Sequence, residues 1–308
     1  MAVQIDEIND PDGRPCIRVA TAGTEIRLRL DAGPRLVFLG RPGGPNLLYE
    51  EPEDAPARQN GWRLIGGHRL WTAPEDELQT YVADNTPVEV LRGADGVTLR
   101  GPVEEPTGIR KALGIRMTAG AIQVRHTLEQ VVGTSHRAPW AITAFGPGGT
   151  VWLPRVTHRP HPDALLPDQS LVLWPYTDLG DPRLELGSGA IRLRHDAQRG
   201  TPLKIGAVHP PGWLAWSRER ELVIQHTRHH EGPRADLGAT HEVYVDGALS
   251  ELEALGPLQK LAPGEQATLD QTWWHAVLPE PVDAEGLEQA VLERGLDAAG
   301  LGESRPRQ

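Results

Sequence analysis

Hydrophobic and polar positions alternate with a period of two along most of the chain. Ile26, Leu28 and Leu30 are separated by Arg27 and Arg29, and Val97 and Leu99 flank Thr98. Ile122, Val124 and Leu128 share one face, with Gln123, Arg125 and Thr127 opposite. Ile191 and Leu193 alternate with Arg192 and Arg194, and Leu269, Trp273 and Val277 with Asp270 and Thr272. Successive side chains of a strand point to opposite faces, so each run predicts a half-buried strand. Turn signals separate the runs, among them Gly43-Gly44-Pro45, Asp246-Gly247 and Pro263-Gly264. The expected class is all-β, a many-stranded sandwich or barrel. A period of 3.6 is scarce. It is clearest over 283–299, where Asp283 caps and Leu287, Ala290 and Val291 form a short apolar stripe. The expected organisation is one β-sandwich domain over 1–280, then a short C-terminal helix and a loose tail over 281–308.

Composition narrows the function. The formal net charge of -11 over 308 residues repels polyanions, so a nucleic-acid partner is not expected. No apolar run reaches the roughly 20 residues of a membrane helix, and the first residues lack a secretory pattern. The single cysteine, Cys16, cannot form an intrachain disulfide. No membrane association and a cytoplasmic location are therefore the expectations. There is no glycine-rich dinucleotide motif, no P-loop and no nucleophile elbow. No cofactor is expected. The histidines His158, His161, His226, His229, His230 and His241 show none of the usual ligand spacings, so no metal is expected either. His126 and His195 continue apolar strand faces and read as core histidines.

Two segments concentrate chemistry. Gly66-Gly67-His68-Arg69-Leu70-Trp71 and the following Glu75 place an imidazole, a guanidinium, an indole and a carboxylate behind two glycines. Such groups exchange protons, grip ligand oxygens and offer a flat apolar face. The second segment is Glu242 to Pro257. On one strand, Leu249, Glu251, Glu253 and Leu255 face the same way, which suits either a base in a cleft or a charged edge strand. Nine Trp against two Phe and four Tyr is a strong skew, and Trp62, Trp71, Trp140, Trp174, Trp213 and Trp216 fall near turns. An indole flanked by Arg, Glu and His matches the apolar C–H face and hydroxyl rim of a sugar ring.

These residues carry a resemblance. IGGHRLWTAPE (65–75), DNTPV (84–88), GIRKAL (108–113), APWAIT (138–143), GWLAW (212–216) and ELEALGPLQKLAPGE (251–265) resemble an uncharacterised bacterial family related to galactose mutarotase, or aldose 1-epimerase. The likeness runs over about residues 20–278 in the same order. It implies a galactose mutarotase-like antiparallel β supersandwich that binds a small-molecule sugar or sugar derivative. It further implies acid/base interconversion of sugar anomers, with Glu253 or Glu251 as base and His68 as acid. Arg69, Trp71, Glu75, Lys204, Trp213 and Glu242 are the expected substrate-binding residues. One departure is plain: the family's second histidine should fall near 126–145, where this chain has His136 and then Ala138-Pro139-Trp140. That departure favours a non-catalytic carbohydrate-binding or sensing module as the alternative. A third reading is a lyase or hydrolase for an anionic saccharide, with Arg69, Arg110 and Lys111 holding its charge. The sugar's identity and the oligomeric state are not legible.

Overall fold

The computed structural model describes residues 3–93, 96–118, 120–156, 159–208 and 211–298. The described residues form two large antiparallel sheets, one of eleven strands and one of ten. The eleven-stranded front sheet runs, across its path, from Gln4–Asn9 through Arg35–Gly40, His68–Ala73, Ser135–Phe145, Ser250–Leu255, His241–Val245 and Leu203–Val208 to Ser170–Leu173. The back sheet centres on Gln266–Val277, flanked by Ile122–Gln130 on one side and Glu221–Thr227 on the other. The inward faces of both sheets make one core. Ile17, Leu28, Leu36 and Leu252 from the front meet Leu99, Val124, Val223 and Trp273 from the back, all essentially inaccessible to solvent. Burial of this much apolar area is the main driving force of the fold.

The period-two reading places these strands correctly. Ile26 and Leu28 are buried in Glu25–Arg29, and Ile122, Val124 and Leu128 in Ile122–Gln130. Leu269 and Trp273 are buried in Gln266–Val277. The helix is shorter than its pattern, Ala284–Leu292, because Gly295 follows in a left-handed conformation. Its start is as read: Asp283 Oδ1 accepts from Gly286 N at 2.8 Å, and Leu287, Ala290 and Val291 are buried. That stripe packs on the outer face of the back sheet against Trp152, Trp213, Leu222 and Ile224. Residues 302–308, read as a tail, lie outside the described residues, as does His158. Among the described residues no helix is long and apolar enough to cross a membrane.

Candidate functional site

A cleft of about 310 Å³ opens on the outer face of the front sheet. Five neighbouring strands set its floor. Their register puts Arg69, Ile142, Glu253 and Glu242 in one cross-strand row. A second row holds Ala144, Glu251, Tyr244 and Lys204. Trp71 and Trp140 lie opposite each other one step along, their rings edge-to-face at 5.5 Å. Trp62 and Tyr81 complete the aromatic wall from the loops before and after His68–Ala73. Arg35 ties these two loops together: its buried guanidinium donates to Asp84 Oδ1 at 2.7 Å, to the carbonyl of Arg63 and to that of Leu64. The DNTPV aspartate is thus a structural anchor.

The polar groups form a buried pair and a buried triad. Arg69 Nη1 donates to Glu251 Oε1 at 3.0 Å, and its guanidinium lies 4.4 Å from the Trp71 ring centre. Lys204 Nζ donates to Glu253 Oε2 at 2.9 Å and sits 2.7 Å from Glu242 Oε2. Its ammonium is bracketed by the Trp140 and Trp174 rings at 4.9 and 4.6 Å. Trp140 Nε1 also donates to Glu253 Oε2, at 2.8 Å. Directly opposed carboxylates repel across a sheet. Glu242 and Glu253 tolerate each other because Lys204 stands between them. Burial raises the Glu242 carboxyl well above its usual range, against the pull of Lys204, and Asp236 adds a further nearby carboxyl. Burial also raises Glu251, against the pull of Arg69. For Lys204, burial disfavours the charge, but Glu253 and Glu242 override it and hold the ammonium well above its ordinary range. Arg69 Nε is buried without an acceptor, and neither Glu242 oxygen completes a well-aligned hydrogen bond. That buried donor lacks a partner among the described residues.

The structure brings Arg69, Trp71, Glu75, Lys204, Glu251 and Glu253 to this cleft. Glu75 is exposed at the rim and accepts from Tyr81 OH at 2.5 Å. Glu242 lies behind Lys204, fully buried. Two expected residues are elsewhere. His68 begins its strand with the opposite facing from Arg69, so its ring enters the core between the sheets. There His68 Nε2 meets His126 Nε2 at 2.7 Å, and His68 Nδ1 meets Thr143 Oγ1 at 2.9 Å. His126 Nδ1 lies 2.8 Å from the carbonyl of Leu269. That carbonyl only accepts, so His126 carries its proton on Nδ1, His68 donates from Nε2, and both rings are neutral. Burial pulls both down, His126 to about 4. His68 is thus a core histidine with no access to the cleft, and not an acid poised over a ligand.

The glycines before it have a backbone role: a Cβ on Gly66 would stand 2.0 Å from the Tyr49 carbonyl oxygen, and one on Gly67 2.0 Å from that of Leu36. Trp213 is likewise displaced. It is buried under the C-terminal helix on the back sheet, with Nε1 donating to the Asp297 carbonyl at 2.7 Å. Of the anion-reading set, Arg110 pairs with Glu129 and Lys111 with Glu104, and neither lines the cleft. His195 is half-buried and accepts from Gly148 N at 3.1 Å.

The sequence reading gave no site role to Trp62, Tyr81, Trp140, Tyr176 or Tyr244, all of which line the cleft. Tyr244 stands two residues after Glu242 on one strand, so alternation alone could have placed it there. Tyr81 and Tyr176 come from loops, which carry no period. No imidazole lines the cleft among the described residues. Among those residues no group of three His, Cys, Asp or Glu side chains is placed to hold a metal ion.

No protein-family model matches the sequence, and no curated protein matches it. Solved structures do. A galactose mutarotase-like protein from Lactobacillus casei superposes with a TM-score of 0.54 at 10% identity, over 85% of this chain and 100% of its own. A candidate mutarotase from Salmonella typhimurium gives 0.55 at 13%, over 89% and 97%. A candidate aldose 1-epimerase from Klebsiella pneumoniae gives 0.55 at 11%, over 95% and 86%. The chain has the galactose mutarotase-like fold. At this identity the likeness is one of fold, and function rests on the site.

Proposed function

We propose that the front-sheet cleft binds a neutral sugar. The observation that carries this is the convergence of two carboxylates and two cations, Glu251, Glu253, Arg69 and Lys204, on one cleft walled by Trp62, Trp71 and Trp140. Indole faces take the C–H face of the ring, and paired charges offer both donors and acceptors to its hydroxyls. The lining holds Arg58, Arg69 and Lys204 against Glu75, Asp246, Glu251 and Glu253, three positive groups to four negative. An anionic saccharide would meet no surplus of positive charge there, so the uronate or phosphate reading loses to the neutral one. The volume is at the lower end of the range for small-molecule sites, about 300 to 1,000 Å³.

A second reading, anomer interconversion, is favoured by Glu251. It faces the cleft and its proton affinity is raised by burial, which suits a base that takes the anomeric hydroxyl proton. The ring oxygen then needs a proton donor other than imidazole. The donors at hand are the Lys204 ammonium and the Tyr81 and Tyr176 hydroxyls, all held above their ordinary ranges. Acids that weak donate slowly at neutral pH, so binding without rapid turnover is the better-supported reading.

Calorimetric titration with a panel of neutral aldoses, uronates and sugar phosphates tests the binding. Saturable binding confined to neutral sugars, weakened in Glu251→Gln and Glu253→Gln, is expected. Preference for the anionic sugars would overturn it. Exchange NMR on any sugar that binds separates the two readings: rates equal to buffer leave a binding module, and faster exchange abolished in Glu251→Gln establishes the enzyme.

A further inference from the structure

A short turn beside the front sheet reverses the usual sorting of side chains. Asp236 and Leu237 both lie in the left-handed region, at φ 50° and 55°. Residues other than glycine enter that region at a cost, and two in succession are uncommon. The strained turn brings a carboxyl inward and sends a leucine outward: Asp236 is half-buried, while Leu237 is 88% exposed. Burial energetics alone favour the opposite arrangement. Strain kept in this way points to a task for the residue it positions.

Asp236 is brought to Glu242. Gly206 stands opposite Glu242 in the register, and a Cβ on it would lie 3.2 Å from Ala239 Cβ, 3.3 Å from the Trp174 ring and 3.4 Å from Glu242 Cγ. The glycine thus clears a space where the end of the turn, an indole and the Glu242 side chain converge. The Asp236 carboxyl comes within hydrogen-bonding reach of that of Glu242. Glu242 is inaccessible to solvent, and neither of its oxygens completes a bond to a protein donor. Two carboxylates only accept, so they repel; one proton between them makes one the donor and the other its acceptor. Lys204, Glu253, Glu75 and Tyr176 are the charged and titratable groups that act on the pair. Burial raises both carboxyls, against the pull of Lys204, so the proton persists where an exposed carboxyl has lost it.

We propose that Asp236 is a positioning residue of the cleft: it shares one proton with Glu242, and so leaves the Lys204 ammonium to Glu253 and to a ligand. An ammonium has three N–H donors. One donates to Glu253 Oε2 at 2.9 Å, and a second faces Glu242 Oε2 at 2.7 Å. Lys204 lines the cleft, which leaves the third for a ligand oxygen. Loss of the shared proton puts a second full negative charge beside Lys204 and draws the ammonium back from the cleft. Sugar affinity then falls as pH rises through the titration of the pair, and binding in that range takes up protons. The role toward a ligand rests on the sugar reading of the cleft; the shared proton does not.

Lys111, Lys204 and Lys260 are the only lysines, so lysine-selective nitrogen labelling of the full chain gives three side-chain NMR signals. They are followed from about pH 5 to about pH 9. Burial disfavours the charge on Lys204, but Glu253 and Glu242 hold it well above its ordinary range, so its own proton stays on throughout. Its signal should nevertheless shift, with a midpoint above the ordinary carboxylate range. Asn tolerates the left-handed region, so Asp236→Asn keeps the turn and should lower that midpoint by about one unit or more. Glu242→Gln should abolish the shift. In calorimetric titrations with a neutral aldose, wild-type affinity should fall about tenfold across the same range, the loss of one charge-assisted hydrogen bond. Glu242→Gln should flatten that profile. A Lys204 signal that does not titrate above the carboxylate range, or titrates alike in Asp236→Asn, overturns the proposal. So does an affinity that ignores pH while the signal moves. A signal that titrates as expected in a protein that binds no aldose upholds the shared proton and counts against the sugar reading instead.

Discussion

Replacing Lys204 by Met tests the electrostatic design of the cleft. Lys204 is 5% exposed, Glu242 inaccessible and Glu253 2% exposed, so the three charges meet with almost no water to screen them. Met keeps the stem packed between Trp140 and Trp174 while removing the ammonium. Two opposed carboxylates then lose their shared cation. Breaking a buried pair in this way costs about 3 to 5 kcal/mol, because the partner charge stays buried and unpaired. The deficit depends on pH with a definite sign. Glu242 already has its folded proton affinity raised by burial, and the substitution removes the one group pulling it down. A carboxyl raised in the folded state gives stability that is present at low pH and lost as pH rises through its folded pKa. Lys204→Met should therefore be much closer to wild type near about pH 5 than near about pH 8. Adding Glu242→Gln to Lys204→Met should recover half or more of the loss at the higher pH, since Glu253 still accepts from Trp140 Nε1. Urea titrations of the three proteins at both pH values make the measurement. A loss below about 1 kcal/mol that does not change with pH would refute the reasoning, because exposed pairs behave that way.

Other expectations are as direct. The neutral His68–His126 pair binds fewer protons folded than unfolded, so its stability contribution is full above the ordinary histidine range and falls as pH drops toward about 4. For His126 alone that is on the order of 3 kcal/mol, and urea midpoints from neutral to acid pH should fall less steeply in His126→Gln. Gly67→Ala forces a Cβ to within 2.0 Å of the Leu36 carbonyl oxygen at a positive φ, and should cost several kcal/mol or prevent accumulation of folded protein, seen by thermal melting. Asp283→Ala removes the cap bond to Gly286 and should cost about 1 kcal/mol, with faster amide exchange confined to 284–292.

The strands were legible because a half-buried strand writes its facing into every second residue. Glu251 and Glu253 could be placed together on one face for the same reason, and so could the Asp283 cap with its stripe. Three placements were not legible, each for a physical reason. All six residues of His68–Ala73 are buried, so the burial pattern does not reveal which face looks into the cleft. The motif's histidine and arginine thus part company, one to the core and one to the cleft. Trp213 sits in a strand that is buried on both faces, one by the other sheet and one by the helix, and nothing local distinguishes that cover from a sugar. The Lys204–Glu242–Glu253 cluster depends on pairing between strands far apart in sequence. Cys16 is buried, and burial lifts its thiol to about 11, which leaves it inert as a nucleophile at neutral pH.

The account stands on neutral-sugar binding at the indole wall of the front sheet. Nine tryptophans give nine indole N–H signals to follow by NMR during a sugar titration. The expected result is saturable movement of the Trp62, Trp71 and Trp140 signals, with Trp213, Trp216 and Trp273, enclosed in the core and beneath the helix, staying still. Stationary signals across the neutral aldose panel, or movement confined to Trp213, Trp216 and Trp273, would contradict it.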